Sequence, residues 1–212
     1  MKKLILVRHG ETEWNIEGRT QGKMNSSLTE DGLIQARLLG ERLISEDIDS
    51  IYASHLDRAK STAEIIGNII GKSPSYDEDL AELGFGEWEG LTVKEIELNY
   101  PQQLKEWHSN PHKAIIPSGE GLGIGQERIV SFIKKISQEN EDNNVLVISH
   151  GTIIKLFLLS FLNMQLSDFY RLKQDNCSIN VIEFKKRGPV LVKYNDKCYM
   201  EIINKGDNNG KE

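Results

Sequence analysis

Two short segments place a histidine beside a glycine directly after an apolar run. The first is Arg8-His9-Gly10-Glu11-Thr12, which follows Lys3-Leu4-Ile5-Leu6-Val7. An imidazole at the end of a buried strand can offer one ring nitrogen to a ligand while the other donates to a carbonyl and fixes the tautomer. Arg8 adds a forked donor that matches phosphate oxygens. Gly10 permits close backbone approach to an anion, and a helix beginning near Thr12 supplies N–H groups and a favourable dipole. The second segment, Ser149-His150-Gly151, repeats the design after Val145-Leu146-Val147-Ile148. Each histidine alone reads equally well as a hydrogen-bonded structural residue. Two strand-end His-Gly elements in one sheet are harder to explain as packing.

Two more residues join them. Arg58 falls in the first turn of a helix that follows Ser50-Ile51-Tyr52-Ala53-Ser54. The helix dipole disfavours a cation there, so an arginine in that place suggests an anionic partner, although surface arginines at helix starts are common. Glu82 lies in Leu80-Ala81-Glu82-Leu83-Gly84-Phe85, and a carboxyl held near apolar side chains can serve as a proton donor. Glu87 and Glu89 compete for that role.

The elements that must position these residues follow from periodicity. Residues 3–7, 50–54 and 145–148 are short apolar runs of the kind buried on both faces of a parallel sheet. Thr29 reads as the N-cap of a helix carrying Leu33, Ala36, Leu39 and Leu43. Ala59, Ala63, Ile66 and Ile70 mark another helix, which Gly71 stops. Gly151 to Leu162 is apolar almost all round and too short to span a bilayer, hence a core helix. Ile179–Phe184 and Val190–Tyr194 flank a polar turn and predict a hairpin. Strands alternating with helices give an α/β class with a mostly parallel sheet and an antiparallel edge. The stretch 83–125 breaks the rhythm, with three of the five prolines and two of the three tryptophans. It is expected to be a lid inserted in a single domain spanning 1–203, with 204–212 a flexible tail.

With 212 residues, 38% apolar and 27% charged, the chain is neither disordered, collagen-like nor a membrane protein. Its net charge of −6 favours neither nucleic acid nor an acidic membrane, so an anionic ligand must be drawn by a local positive cluster. Two cysteines without a motif argue against a disulfide scaffold or structural zinc and suit a reducing cytoplasm. No carboxylate cluster has an obvious metal-ligand spacing.

The run Leu6-Val7-Arg8-His9-Gly10-Glu11-Thr12-Glu13-Trp14-Asn15 closely resembles the signature of the histidine phosphatase superfamily, the phosphoglycerate mutase-like proteins. The resemblance continues through Gln21-Gly22, Leu28-Thr29, Gly32, Ser54, Leu56, Arg58-Ala59, Glu82, Gly86-Glu87-Trp88-Glu89-Gly90 and Ser149-His150-Gly151, from about residue 3 to residue 195. It implies a three-layer α/β/α sandwich with the site at the strand C-terminal ends. It further implies that His9 is a nucleophile that becomes a phosphohistidine, that Arg8 and Arg58 clamp phosphate, that His150 is the second histidine, and that Glu82 stands at the proton-donor position. Asn15 and Gln21 match positions that contact phosphate or substrate, with Gly22 and Gly151 beside them. No metal and no cofactor are implied, and the partner is a small phosphorylated metabolite.

The superfamily holds mutases and phosphatases, so the fold does not settle the activity. From Glu82 to His150 is 68 residues with a single arginine, Arg128. Cofactor-dependent phosphoglycerate mutases usually carry a longer, more basic insertion, so this chain is expected to be a phosphatase of small phosphomonoesters. Gly86–Thr92 and Trp107 with Asn110-Pro111-His112 resemble the smaller members: broad-specificity, α-ribazole-5′-phosphate and metal-independent phosphoserine phosphatases. His112 is the expected lid contact to substrate. Phe85, Trp88, Tyr100, Trp107 and His108 are candidates for pocket lining, with lid core packing the alternative for both tryptophans. Gly119-Glu120-Gly121 stands where many members have Gly-Glu-Ser, and the added glycines Gly123 and Gly125 weaken the next helix start. A homodimer would form through apolar surface on the hairpin or on 153–170.

Overall fold

Alternation along the first strand sets up the layers. Leu4 and Leu6 of β1 (Lys3–Arg8) point to one face, Ile5 and Val7 to the other, and each pair enters a different core. The structure, a computed structural model, describes residues 1–200. The tail expected at 204–212 lies outside the described residues. Six strands form one sheet in the order β3-β2-β4-β1-β5-β6, with β2 at Ser50–Ser54, β3 at Pro74–Asp77, β4 at Asn144–Ser149, β5 at Ile179–Lys185 and β6 at Gly188–Asp196. The first four are mutually parallel; β5 runs antiparallel to β1, and β6 antiparallel to β5. Helices α2 (Glu30–Leu43) and α3 (Asp57–Ile70) cover one face. Helices α6 (Leu122–Glu139) and α7 (Gly151–Phe161) cover the other, which makes the three-layer sandwich.

Local signals behave as their chemistry requires. Thr29 Oγ1 accepts the Gly32 N–H at 2.9 Å and starts α2. Gly71, with φ of 70°, ends α3. The hairpin forms as β5 and β6. Strand β3 was not foreseen: Pro74-Ser75-Tyr76-Asp77 has no apolar run, and an edge strand, open to water on one side, does not need one and tolerates proline. Helix α1 (Glu13–Glu17) is short and held by a capping box between Thr12 and Asn15.

The segment between β3 and α6 carries α4 (Val93–Asn99) and α5 (Pro101–Ser109) around a small core of Trp88, Ile96, Leu104 and Ile116. Glu120 ties its base to the body: its N–H donates to Gly84 O at 2.7 Å, and its Oε2 accepts from Gly84 N at 2.6 Å. Gly121 caps α6 without a side-chain bond, as the sequence implied, yet Gly125 has a packing reason. A Cβ there would meet Leu83 Cδ1 at 2.8 Å and Leu156 Cδ1 at 3.0 Å. The glycine lets α6 lie against α7.

Three neighbouring parallel strands, β2, β4 and β1, end on the same edge: Arg8 closes β1, His9 and His150 directly follow β1 and β4, Arg58 lies in the first turn of α3 after β2, and Glu82 comes after the neighbouring β3. The loop carrying His9 rests on the start of α2 through two facing glycines. A Cβ on Gly32 would lie 2.1 Å from the Glu11 carbonyl oxygen, and one on Gly10 would lie 2.7 Å from Gly32 O. Both obstacles are backbone. Gly32→Ala should therefore destabilise the protein by about 1–3 kcal/mol through overpacking. Urea titration checks this as a lowered midpoint with unchanged slope; an unchanged midpoint would contradict the close approach.

Candidate active site

The His9 N–H continues the sheet ladder, donating to Ser149 O at 3.0 Å. The residue is 2% exposed, and its Nδ1 lies 2.7 Å from Gly10 O. A carbonyl oxygen only accepts, so this bond assigns the proton to Nδ1 and leaves a lone pair on Nε2. Burial, reinforced by the charges of Arg58 and Arg8, lowers the His9 pKa well below the usual 6.5. The ring is a neutral base with one nitrogen held and the other available.

His150 caps α7 and is fully buried. Its Nε2 sits 2.8 Å from Ser54 Oγ, and its ring centroid is 5.2 Å from that of His9. Ser54 Oγ also accepts from Leu56 N at 3.2 Å and can either donate to or accept from the His150 ring. The other ring nitrogen, Nδ1, is buried without a hydrogen-bond partner among the described residues. Burial, then Arg58, His9 and Arg8, lower the His150 pKa well below 6.5 as well.

The arginines are tethered by backbone oxygens. Arg58, 1% exposed, donates from Nη1 to Met24 O at 2.8 Å and from Nη2 to Gly22 O at 2.7 Å. Burial lowers its pKa to about 10, which leaves it charged at neutral pH. Arg8 donates from Nη1 to Gln174 O at 2.7 Å. The Nε of each arginine is buried with no hydrogen-bond partner among the described residues. Gly151 lies against Arg8: a Cβ there would come within 3.4 Å of its Nε, an ordinary packing contact. Glu82 faces them. Its Oε1 accepts from Leu83 N at 2.9 Å and its Oε2 from Thr152 N, in the first turn of α7, at 3.3 Å.

These groups surround one cavity of about 680 Å³. Arg8, His9, Arg58 and Glu82 line it, as do Asn15, Gln21, Gly22 and Gly151. Asn15 turns its Oδ1 to Thr12 N and Asn176 Nδ2, both at 3.1 Å. His150 stands behind His9 and does not line the cavity. The expectation for His112 is corrected. Helix α5 ends at Ser109, so His112 falls on an exposed turn away from the cavity, and His108, still on the helix, lines it instead. Phe85, Trp88 and Trp107 line it too; Tyr100 does not, and its hydroxyl donates to Glu87 at 2.8 Å. Of the three competing carboxylates, Glu82 lines the cavity, whereas Glu87 is exposed and bonded to Tyr100 and Glu89 accepts from Lys23 N and Phe85 N.

Sequence reasoning missed Lys155, Phe169 and Tyr170, which complete the wall. Lys155 had a signal: it is the one charged residue in the apolar run Ile153–Leu159. Phe169 and Tyr170 had none, since they sit on a turn beyond α7 that only tertiary packing brings back.

Fold and site together are those of an enzyme acting on phosphate esters. The sequence profile of the histidine phosphatase superfamily (branch 1) matches residues 4–197, and the chain belongs to that superfamily. It is similar to phosphoserine phosphatase 1 of Hydrogenobacter thermophilus, 34% identical over 200 residues covering 94% of this chain and 95% of that one. It is also similar to the probable phosphoglycerate mutase GpmB of Salmonella arizonae, 32% identical over 186 residues covering 88% of this chain and 86% of the other. Among solved structures, YhfR of Bacillus stearothermophilus superposes with a TM-score of 0.89 at 32% identity, covering 94% of this chain and all (100%) of that one.

Two neutral buried histidines have a consequence for stability. Below pH 6.5 the unfolded chain takes up protons that the folded rings refuse, so stability falls as pH falls. The expected slope is on the order of 1 kcal/mol per pH unit for each histidine, beginning at about pH 6.5 and continuing until the folded-state values are reached. Denaturant titrations between about pH 7 and pH 5.5 check this, and His150→Asn should reduce the slope by about half. A stability flat across that window would contradict neutral buried rings.

Proposed function

We propose that the protein is a metal-independent phosphatase of small phosphomonoesters that works through a phosphohistidine on His9. The observation that carries this reading is the neutral His9 ring, its Nδ1 held by Gly10 O at 2.7 Å and its Nε2 unprotonated, beside two guanidinium groups with unpaired Nε donors. Substrate phosphate enters between Arg8 and Arg58, whose charge and forked donors hold its oxygens. His9 Nε2 attacks phosphorus in line and Glu82 gives a proton to the departing oxygen. Glu82 then takes a proton from water, which displaces the phosphoryl group from Nε2 and releases phosphate. The family resemblance gives His150 the role of stabilising charge on the phosphoryl group, and its ring centroid lies 5.2 Å from that of His9. Positioning and charge stabilisation are most of what phosphoryl transfer requires.

The lid supports hydrolysis over a mutase reaction. The side chains that 83–125 contributes to the cavity are apolar or aromatic, with His108. Arg128 turns away, donating to Asp79 O at 2.9 Å and Ala81 O at 2.8 Å. A site that must bind a bisphosphate and return it in a second orientation needs more positive charge than this. In this reading the partner is a small phosphorylated metabolite rather than nucleic acid or a membrane. Among the described residues no helix is long and apolar enough to cross a bilayer. The setting we propose is the cytoplasm, supported by the cysteine usage, and self-association would use Phe184, Val190, Val192 and Tyr194, exposed on the outer hairpin.

Phosphate release in EDTA from phosphoserine, 3-phosphoglycerate, α-ribazole-5′-phosphate and p-nitrophenyl phosphate tests the reading. Turnover should survive the chelator, and His9→Ala should lower it by on the order of 10³-fold or more. Glu82→Gln should cost about 10²–10⁴-fold on the alkyl phosphates and much less on p-nitrophenyl phosphate, whose leaving group needs no proton. Mutase activity with 2,3-bisphosphoglycerate outrunning every hydrolysis would overturn it.

A further inference from the structure

Among the described residues, five cations line the cavity: Arg8, Arg19, Arg58, Lys155 and Lys173. Three of them are not alike in their partners. Arg19 is neutralised by Glu17 at 2.6 Å and Glu95 at 3.3 Å, and Lys173 by Asp175 at 2.9 Å. Lys155 has no ion pair and no hydrogen bond among the described residues. Its Nζ lies 3.5 Å from the Phe169 ring centroid and 5.4 Å from that of Tyr170. With Arg8 and Arg58 accounted for by the phosphate, Lys155 is the cavity cation with no protein anion bound to it.

Its place on α7 shows what it serves. Lys155 lies one helical turn past Gly151 and Thr152, which touch Arg8 and Glu82. Side chains on a helix lean toward its N-terminus, so this ammonium is carried toward the phosphate end of the cavity rather than away from it. Ring faces attract a cation but leave its N–H donors unsatisfied, and a partly buried ammonium without an acceptor is costly to keep. Burial lowers Lys155 to about 8, with Glu82 acting against the shift and Arg8 with it. An anionic group arriving from the substrate would supply the missing acceptor. A second phosphate would bring close to two negative charges against this one ammonium, with Glu82 nearby; a carboxylate brings one.

We propose that Lys155 is a specificity residue that binds the carboxylate of a small phosphorylated hydroxy or amino acid whose phosphate rests on Arg8 and Arg58. This deepens the phosphatase reading and rests on it for the placement of the phosphate. The substrate then spans from the two arginines to the Phe169–Tyr170 wall, and its carboxylate replaces the water around one ammonium.

Matched ligand pairs that differ at the carboxylate test this: phosphoserine against phosphoethanolamine, and 3-phosphoglycerate against glycerol phosphate. Calorimetric binding on a His9→Ala background removes turnover from the measurement. The protein with Lys155 should prefer the carboxylated member of each pair. Lys155→Met should weaken that member by about 10–100-fold while the other changes by less than about three-fold, and Lys155→Arg should keep most of the preference. The retained binding of phosphoethanolamine reports that the variant is folded. Equal weakening within each pair, or no preference to begin with, overturns the proposal. Hydrolysis by the unmodified protein is read separately. A carboxylate preference that depends on Lys155 in a protein that releases no phosphate would remove the phosphatase reading and leave the binding role of Lys155 standing.

Discussion

Burying the Arg58 guanidinium costs several kcal/mol unless its N–H groups find partners, and much of the architecture around the site follows from meeting that requirement. The carbonyls of Gly22 and Met24 satisfy its two terminal nitrogens, which obliges the 22–24 loop to fold down over the start of α3. Gln174 O does the same for Arg8, which ties the approach to β5 to the end of β1. Burial first, and then the two guanidinium heads fixed at the sheet edge, disfavour a protonated imidazole, and His9 and His150 are held neutral. In the phosphatase reading, the arginines that would hold the phosphate also help, with the same charge, to keep the nucleophile unprotonated. They also overcome locally the −6 charge of the whole chain.

The lid works by different physics. Its core of Trp88, Ile96, Leu104 and Ile116 meets the main core through Phe85 and Trp107, and Gly84–Glu120 helps tie its base to the body. It brings apolar and aromatic surface to a pocket whose floor is charged. Water is displaced from around the phosphate clamp without adding a second strong anion site, which suits hydrolysis of one monoester. The remaining polar groups of the wall include Thr152 and Lys155 of α7, His108, Arg19, Lys173 and Gln174.

How much of this could be read from the residues depends on how local each signal was. The apolar runs at 3–7 and 145–148, the caps at Thr29 and Gly71 and the His-Gly pairs are local, and they placed the sheet, its helices and four polar site residues. Strand β3 has no apolar periodicity because it lies at a solvated edge. That Glu82, and neither Glu87 nor Glu89, lines the cavity depends on tertiary packing that no local signal carries. His112 and His108 differ only in which side of the α5 terminus they fall, and packing rather than propensity decides where that short helix stops. Phe169 and Tyr170 return to the cavity through a turn with no motif. Lys155 was visible as a lone charge in an apolar helix, but its meaning needed the rings beneath it.

The central claim is that the His9 Nε2 becomes covalently phosphorylated. Rapid mixing with a phosphomonoester, an alkaline quench and mass spectrometry of the resulting peptides test this directly, because phosphohistidine survives base and is lost in acid. The account predicts a phosphoryl group on the peptide containing His9, formed within one turnover, absent in His9→Ala and removed by brief acid treatment. Steady turnover with no phosphoryl group on that peptide, or with the label on a different residue, would contradict it.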